Sequence, residues 1–240
     1  MGARAGASAP LPPGAAWTAA DPSGFEREFN LGSGDLTLAA HLMIPSGVAG
    51  VVVLTDGSEG GWRGPWHLLA SALNQAGLGT LEVGLLMPEE ERGNVFNVRM
   101  LARRLTAVTR WLLCHPASRG LPVGYLGTGT TAAAALWAAA AEPRVPVAAI
   151  VCQDGRPDLA WPQLSFVRPP TLLVVGCADP VLLGLNRQAR QQLRCESDLA
   201  VIAGSGRLLN QPGALEQVGR LSVAWFTRHF MPAAGTTPPG

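Results

Sequence analysis

Short apolar runs alternate with amphipathic stretches from about residue 25 to residue 230. Runs that are apolar throughout and rich in β-branched residues predict buried strands, and stretches with apolar residues at every third or fourth position predict helices. The predicted strands are residues 36–44, 50–55, 80–86, 123–126, 147–152, 171–176 and 199–202. The predicted helices are residues 66–77, 94–113, 130–141, 181–194 and 212–229. Such alternation is typical of parallel strands joined by crossover helices, and predicts a doubly wound α/β fold with a mostly parallel sheet.

The two ends of the chain differ in composition from the rest. Residues 1–24 and 231–240 are rich in Ala, Pro and Gly and show little periodicity, which predicts flexible tails. At 240 residues and 48% hydrophobic composition, the chain is long enough for a full core. We therefore predict one folded domain, residues 25–230.

The charges exclude several classes of function. The 18 basic and 17 acidic residues leave a formal net charge of +1, which does not favour nucleic acid or an anionic membrane as a partner. Every basic residue is an arginine, so enzymes that need a lysine, such as those that form Schiff bases, are excluded. The sequence does not indicate an oligomeric state.

The cysteines and the N-terminus suggest a protein of a reducing compartment. The four cysteines have neither C-x-x-C nor metal-ligand spacing, so we expect reduced and mostly buried thiols, with no metal and no cofactor. Since no signal sequence and no long apolar run is found, we expect a cytoplasmic location.

One stretch, VGYLGTGTTAAAAL at residues 123–136, predicts a strand, a glycine-rich turn and a helix. A turn of this kind commonly presents a nucleophile at its tip, yet the tip residue is Gly129. The same turn also fits a G-x-G-x-x-A dinucleotide motif formed by Gly127, Gly129 and Ala132, with Asp154 after the next strand.

Six segments together resemble the dienelactone-hydrolase-like proteins of bacteria, within the α/β-hydrolase superfamily. They are GVVVLTDGSEG, AGLGTLEVGLLMPEEE, LPVGYLGTGTTAAAAL, GRPDLA, PTLLVVGCADPVLLGLN and QPGALEQVGRLSVAWF. The resemblance covers residues 30–230 and implies an α/β-hydrolase fold without a large cap domain. It also implies a triad of serine, acid and histidine. In this chain the serine position is Gly129, the acid position keeps Asp179, and the histidine position is Arg207.

Other positions in the implied pocket also depart from the family. The family's His-Gly pair is Asp56-Gly57 here, two acids that the family leads us to expect are Gly84 and Asn97, and an Arg-Gly-Gly run is replaced by residues 153–155. Asp179 and Arg207 occupy positions that touch in relatives, which predicts an ion pair or an anion anchor. The EEER segment at residues 89–92 predicts a solvated loop or helix start.

These substitutions leave three hypotheses. The first is a pseudoenzyme that binds a small molecule or a partner, because an arginine cannot accept a proton from a nucleophile. The second is a non-hydrolytic enzyme of the cyclase or lyase type that uses Asp56, Arg207 or Asp179. The third is an esterase with a relocated nucleophile, which would still need a base. The predicted pocket and anion-binding residues are Gly57, Ser58, Thr128, Thr130 and Thr131.

Overall fold

The computed structural model describes residues 24–33, 36–56, 66–86, 90, 94–203, 209 and 212–230. The strands are β1 Phe25–Ser33, β2 Leu36–Ile44, β3 Val51–Asp56, β4 Gly79–Gly84, β5 Val123–Thr128, β6 Ala149–Gln153, β7 Thr171–Gly176 and β8 Ser197–Ile202. The α-helices are α1 Trp66–Gln75, α2 Val98–Cys114, α3 Gly129–Ala141, α4 Pro180–Gln192 and α5 Pro212–Phe230, and Pro157–Phe166 forms a 3₁₀-helix.

The eight strands form one sheet in the order β1-β2-β4-β3-β5-β6-β7-β8. Strand β2 pairs antiparallel with β1 and with β4, and all other pairs are parallel. The predicted mostly parallel α/β sheet is therefore confirmed. In a dinucleotide-binding sheet the first strand is central, and the order here is different. The structure therefore does not support the dinucleotide interpretation of the turn at Gly127.

The hydrophobic core has two parts, one on each face of the sheet. Tyr125 of β5 faces the part that includes Leu101 and Leu105 of α2. Leu126, the next residue of the strand, faces the part that includes Leu73 of α1 and Phe226 of α5. Because consecutive residues of a strand point to opposite faces, a central strand covered by helices on both sides is apolar at every position. This is why the central strands were predictable from the sequence.

Strand β1 was not predicted, and its sequence shows why. Phe25–Ser33 alternates apolar residues with the charged or polar residues Glu26, Glu28 and Asn30, which are exposed. It is an edge strand that pairs along its whole length with β2. An edge strand has one solvated face, so it lacks the continuous apolar run of the central strands.

The start of α2 corrects another prediction. The sequence predicted a helix from residue 94, but α2 begins at Val98. Asn97 is its N-cap, and the Asn97 side-chain oxygen accepts the backbone N–H of Met100 at 3.2 Å. An asparagine side chain that satisfies a free N–H favours a helix start at that point. The residue at a position where the family predicts an acid thus has a structural role.

Two further findings concern the exposure of the cysteines and the character of the helices. All four cysteines are unpaired, as expected, but Cys114 and Cys177 are exposed, so the expectation of mostly buried thiols is wrong for these two. Among the helices that the structure describes, none combines the length and the apolar character needed to cross a membrane.

Candidate functional site at the carboxyl end of the sheet

The turn between β5 and α3 lies at the carboxyl end of a central strand. Gly129, its tip, has φ +50°, a left-handed backbone that side chains rarely adopt. A Cβ atom built on Gly129 would have no heavy atom of the described residues within 4 Å, apart from its neighbours in the turn and the first turn of the helix. A strained tip with open space beside it is the geometry in which a nucleophile elbow presents its side chain. Here the residue with this conformation is a glycine, which has no side chain.

The residues around Gly129 hold this turn tightly. The Thr131 hydroxyl accepts the backbone N–H of Thr128 at 3.0 Å and donates to the backbone oxygen of Thr55 on β3 at 2.7 Å. At Gly127, a Cβ would lie 2.8 Å from the backbone nitrogen of Ala132. The close approach of strand and helix therefore requires glycine at 127. Of the predicted anion-binding threonines, Thr131 is fully buried and its hydroxyl is already bonded, Thr130 is buried, and Thr128 is half-buried.

All four histidines of the chain lie in described segments, and none lies at the end of β5. His115 follows the last residue of α2 and His229 lies in the last turn of α5, at the opposite end of the sheet. Burial lowers the pKa of both. His41 is on β2, and His67, the histidine expected nearest the site, lies in the first turn of α1 with its Nδ1 3.8 Å from Glu82 Oε1 of β4. Strand β3 separates β4 from β5.

Glu82 belongs to a buried polar group that the sequence did not reveal. Its Oε1 lies 3.3 Å from Nδ1 of His41, whose Nε2 lies 3.0 Å from Glu26 Oε1. Burial raises the pKa of Glu82, and the His41 hydrogen bond opposes that shift. Glu82 and Gly84 lie on the same face of β4, because side chains alternate along a strand. A carboxylate is thus present two residues before the position where the resemblance implies an acid. Within the described segments, no three His, Cys, Asp or Glu side chains are arranged to hold a metal ion.

The end of β6 binds the loop that follows β8. Asp154 is the one non-glycine residue with positive φ in the described part, at +43°. Its Oδ1 accepts the backbone N–H of Gly176 at 3.2 Å, and its Oδ2 accepts that of Leu209 at 2.8 Å. The Gln153 amide donates to the carbonyl of Leu209 at 3.2 Å. Gln153 and Asp154 therefore hold both backbone polar groups of Leu209, and we call this pair the β6 clamp.

Burial, two hydrogen bonds and one neighbouring charge act on the clamp carboxylate. Burial raises the pKa of Asp154, the two backbone hydrogen bonds partly offset that rise, and the negative charge of Asp179 adds to it. Asp179 is the N-cap of α4, where its Oδ1 accepts the backbone N–H of Leu182 at 2.9 Å. The retained acid position of the implied triad therefore caps a helix and acts on a second carboxylate, Asp154, which the sequence placed in the dinucleotide motif and not in the triad.

Several predicted site residues lie outside the described residues. These are Gly57, Ser58 and Arg207, and Asp56 is described only as the last residue of β3, without its side chain. The predicted ion pair between Asp179 and Arg207 stays a prediction.

Two contacts of other predicted segments are described. Glu90, from the segment expected to be solvated, forms a bidentate ion pair with the buried Arg104, both oxygen–nitrogen distances being 2.8 Å. The carboxylate of Glu90 is therefore held by a buried guanidinium rather than left in solvent, while its carbonyl accepts the backbone N–H of Asn94 at 3.1 Å, as at the helix start that was the other expectation. The backbone N–H of Arg156, in the segment GRPDLA, donates to the oxygen of Gly129 at 2.9 Å and ties the elbow to the 3₁₀-helix.

Comparisons with known proteins agree with this fold. No family model matches the chain. Two curated proteins from two strains of Mycobacterium tuberculosis, provisionally named as phosphoribosyl transferases, are each 43% identical to it over 230 residues. The alignment covers 95% of this chain and 51% of each relative, so the chain spans about half the length of the curated relatives it matches.

Solved structures give the more specific match. A dienelactone hydrolase from Anabaena variabilis is 37% identical, with a TM-score of 0.81, and the superposition covers 86% of this chain and 99% of that chain. A dienelactone-hydrolase-like promiscuous phosphotriesterase from metagenomic libraries is 15% identical, with a TM-score of 0.71 and coverage of 86% of this chain and 99% of that chain. The second likeness shows the fold alone.

Proposed function

Because the chain belongs to the dienelactone hydrolase family of α/β-hydrolase-fold proteins, we propose that it is a non-hydrolytic member that binds a small molecule or a partner at the carboxyl end of β5. The observation that carries the proposal is Gly129. It has the left-handed elbow conformation, φ +50°, and no described residue beyond its chain neighbours occupies the position of a side chain, but it has no side chain to react. The elbow position is therefore present in the fold, but the nucleophilic side chain is not.

The distribution of bases supports this proposal. Covalent catalysis by a hydroxyl needs a general base within hydrogen-bond reach. The histidines lie on β2, on α1 or at helix ends, and the residue at the family's histidine position is Arg207, which stays protonated. Among other nucleophilic groups, the Cys152 thiol is completely buried and burial raises its pKa, so it is neither accessible nor ionised.

We do not extend phosphoribosyl transfer to this chain. The relatives that carry that provisional name are about twice as long as the matched region, and the matched region here has a hydrolase fold. We infer that the name refers to the half of those proteins that this chain does not cover. The four unpaired cysteines favour a reducing compartment, so we also propose a cytoplasmic location.

The test is ester cleavage. We expect the wild-type protein to show no turnover of p-nitrophenyl acetate and no labelling by a fluorophosphonate probe, while small lactones or carboxylic acids raise its melting temperature. The double variant G129S/R207H restores the two missing triad groups and is the matched control, in which we expect ester turnover to appear. Turnover or labelling of the unmodified chain would overturn the proposal in favour of a relocated nucleophile.

A non-hydrolytic enzyme is the second candidate, and one observation favours it. Asp154 and Asp179 lie near enough at this end of the sheet for the charge of Asp179 to raise the pKa of Asp154. A carboxyl group whose pKa is raised can act as a general acid beside a second carboxylate. If the pocket catalyses a proton transfer, the variant D56N should lose turnover of a ligand found by the melting-temperature screen. If the pocket only binds, D56N should change affinity alone.

A further inference from the structure

A cleft of about 440 Å³ lies between α2 and α3, on the side of the sheet that these helices cover. Its floor is made of the small, buried side chains of Ala102, Thr106 and Ala138, and Ala141, which also lines the cleft, is exposed. Small residues facing one another across two packed helices leave a space that larger side chains would fill. A cleft of this volume falls in the range of about 300–1,000 Å³ that small-molecule sites occupy.

The rim of the cleft is strongly basic. Residues 98–144 contain six arginines and a single acidic residue, Glu142. Three of these arginines line the cleft, and of these Arg110 is paired with Glu142 at 3.0 Å. Arg99 and Arg103 are exposed and have no carboxylate partner among the described residues. Within the described part of the chain, two positive charges therefore remain without a carboxylate partner in the lining of the cleft.

Arg99 and Arg103 are four residues apart on α2, so they lie on the same face of the helix, one turn from each other. Like charges at this spacing destabilise a helix, and a bound anion would remove the repulsion. The Arg99 guanidinium lies over the Trp137 ring, with its carbon 5.3 Å from the ring centroid. This contact restricts the Arg99 side chain, so less conformational freedom would be lost when it binds an anion.

We propose that this cleft binds an organic oxyanion with a compact apolar body. The phosphate or carboxylate group would lie between Arg99 and Arg103, because a guanidinium offers paired N–H donors that match two oxygens. The apolar body would lie on the floor, against Ala102, Ala138 and the Trp137 edge. Gln163, a neutral polar residue at the rim, completes the lining without adding charge.

This site is separate from the pocket above the elbow. Trp137 is eight residues after Gly129 on α3, which is about 12 Å along the helix axis. Changes at Gly129 should therefore leave anion binding at the cleft unaffected, and the proposal does not depend on the proposed function.

Isothermal titration calorimetry with phenyl phosphate, benzoate and inorganic phosphate tests the proposal on the full chain. We expect phenyl phosphate or benzoate to bind at least tenfold more tightly than inorganic phosphate, and comparison of the two identifies the preferred anionic group. In R99Q/R103Q, the affinity should fall at least tenfold. The matched control R119Q/R187Q removes two exposed arginines elsewhere and should keep the wild-type affinity.

Three results would overturn the proposal. The first is unchanged affinity in R99Q/R103Q, and the second is an equal loss in R119Q/R187Q, which would show a general effect of net charge. The third is the absence of tighter binding for the aromatic compounds than for inorganic phosphate, since the apolar floor would then contribute nothing. W137A gives an independent measurement: binding of phenyl phosphate should weaken more than that of inorganic phosphate, because the variant removes the aromatic contact as well as the restraint on Arg99.

Discussion

Two residues with a left-handed backbone conformation lie at the ends of neighbouring strands, and they differ in their side chains and in their contacts. Gly129, after β5, has φ +50° and open space around the position of a Cβ. Asp154, after β6, has φ +43° and a carboxylate whose two oxygens each accept a backbone N–H. The first is a glycine where the family predicts a reactive serine, and the second is an aspartate where the family predicts a glycine.

The comparison shows that the two strand ends differ in whether a polar side chain is present and in what that side chain binds. At the elbow the strained conformation is kept but carries no side chain, which relieves a cost of about 1–2 kcal/mol. At the β6 clamp the same kind of strain is accepted, and hydrogen bonds to Gly176 and Leu209 offset it. The side chain at the second strand end joins three strand-end segments instead of reacting.

The largest expected effect is that of G127A, which tests how tightly the elbow itself is packed. The new Cβ would lie 2.8 Å from the backbone nitrogen and Cα of Ala132. These are backbone atoms, so they cannot move aside unless the helix moves with them. We expect the free energy of unfolding to fall by about 3 kcal/mol in urea denaturation. A loss below about 1 kcal/mol would show that the strand and the helix can separate at little cost.

The clamp is tested by D154A. This variant removes the acceptors for two backbone N–H groups and keeps a side chain at positive φ, so the free energy of unfolding should fall by about 2 kcal/mol. In D154G the hydrogen bonds are also lost, but the strain is relieved, and we expect this variant to be about 1 kcal/mol more stable than D154A. If both variants match the wild type in urea denaturation, the clamp does not stabilise the fold.

We expect a smaller effect for G129A, a variant that adds backbone strain without a steric clash. Since no described residue beyond the chain neighbours lies within 4 Å of the added Cβ, the cost should come from the positive φ alone, about 1 kcal/mol. Thermal unfolding against the wild type, with G47A as a second glycine of positive φ and open surroundings, measures it. A loss as large as that of G127A would mean that the space beside the elbow is not open.

The smallest effect is a pH dependence of the clamp. Burial raises the pKa of Asp154 above its ordinary value of 3.8, and the charge of Asp179 adds to the shift. A raised folded-state pKa stabilises the fold below the unfolded value, and this contribution is lost as the pH rises through the folded value. The stability of the wild type relative to D154N should therefore decrease as the pH rises from about 3.5 to about 7. A difference that stays constant, or increases, in this window would contradict the assignment.

The fold was largely predictable because its central strands are covered on both sides. β5 and β7 are apolar at nearly every position, and Thr171–Gly176 was predicted with its observed bounds. β1 was missed because its charged side chains occupy a solvated face. The start of α2 was misplaced because only the Asn97 cap ends the preceding irregular segment.

The site was predictable in position but not in its contacts. Gly129 and Asp179 follow strands that the sequence predicts, and the carboxyl ends of parallel strands meet at one edge. The structure shows that Asp179 caps α4 and that Asp154 binds the backbone of Leu209. The second contact joins residues that are 55 positions apart in the chain. No periodicity in the chain indicates such a pairing.

By itself, the sequence determined the alternation of strands and helices and the absence of a side chain at residue 129, because both depend on which residue type occupies which position. The tertiary structure decided that the glycine takes an elbow conformation with open space beside it, and that Gln153 and Asp154 close on Leu209. It also brought Arg99 and Arg103 to the rim of a cleft whose floor combines Ala102 of their own helix with Ala138 of another. Hydrogen bonds and cavities depend on distances between residues far apart in the chain, and only the folded chain fixes those distances.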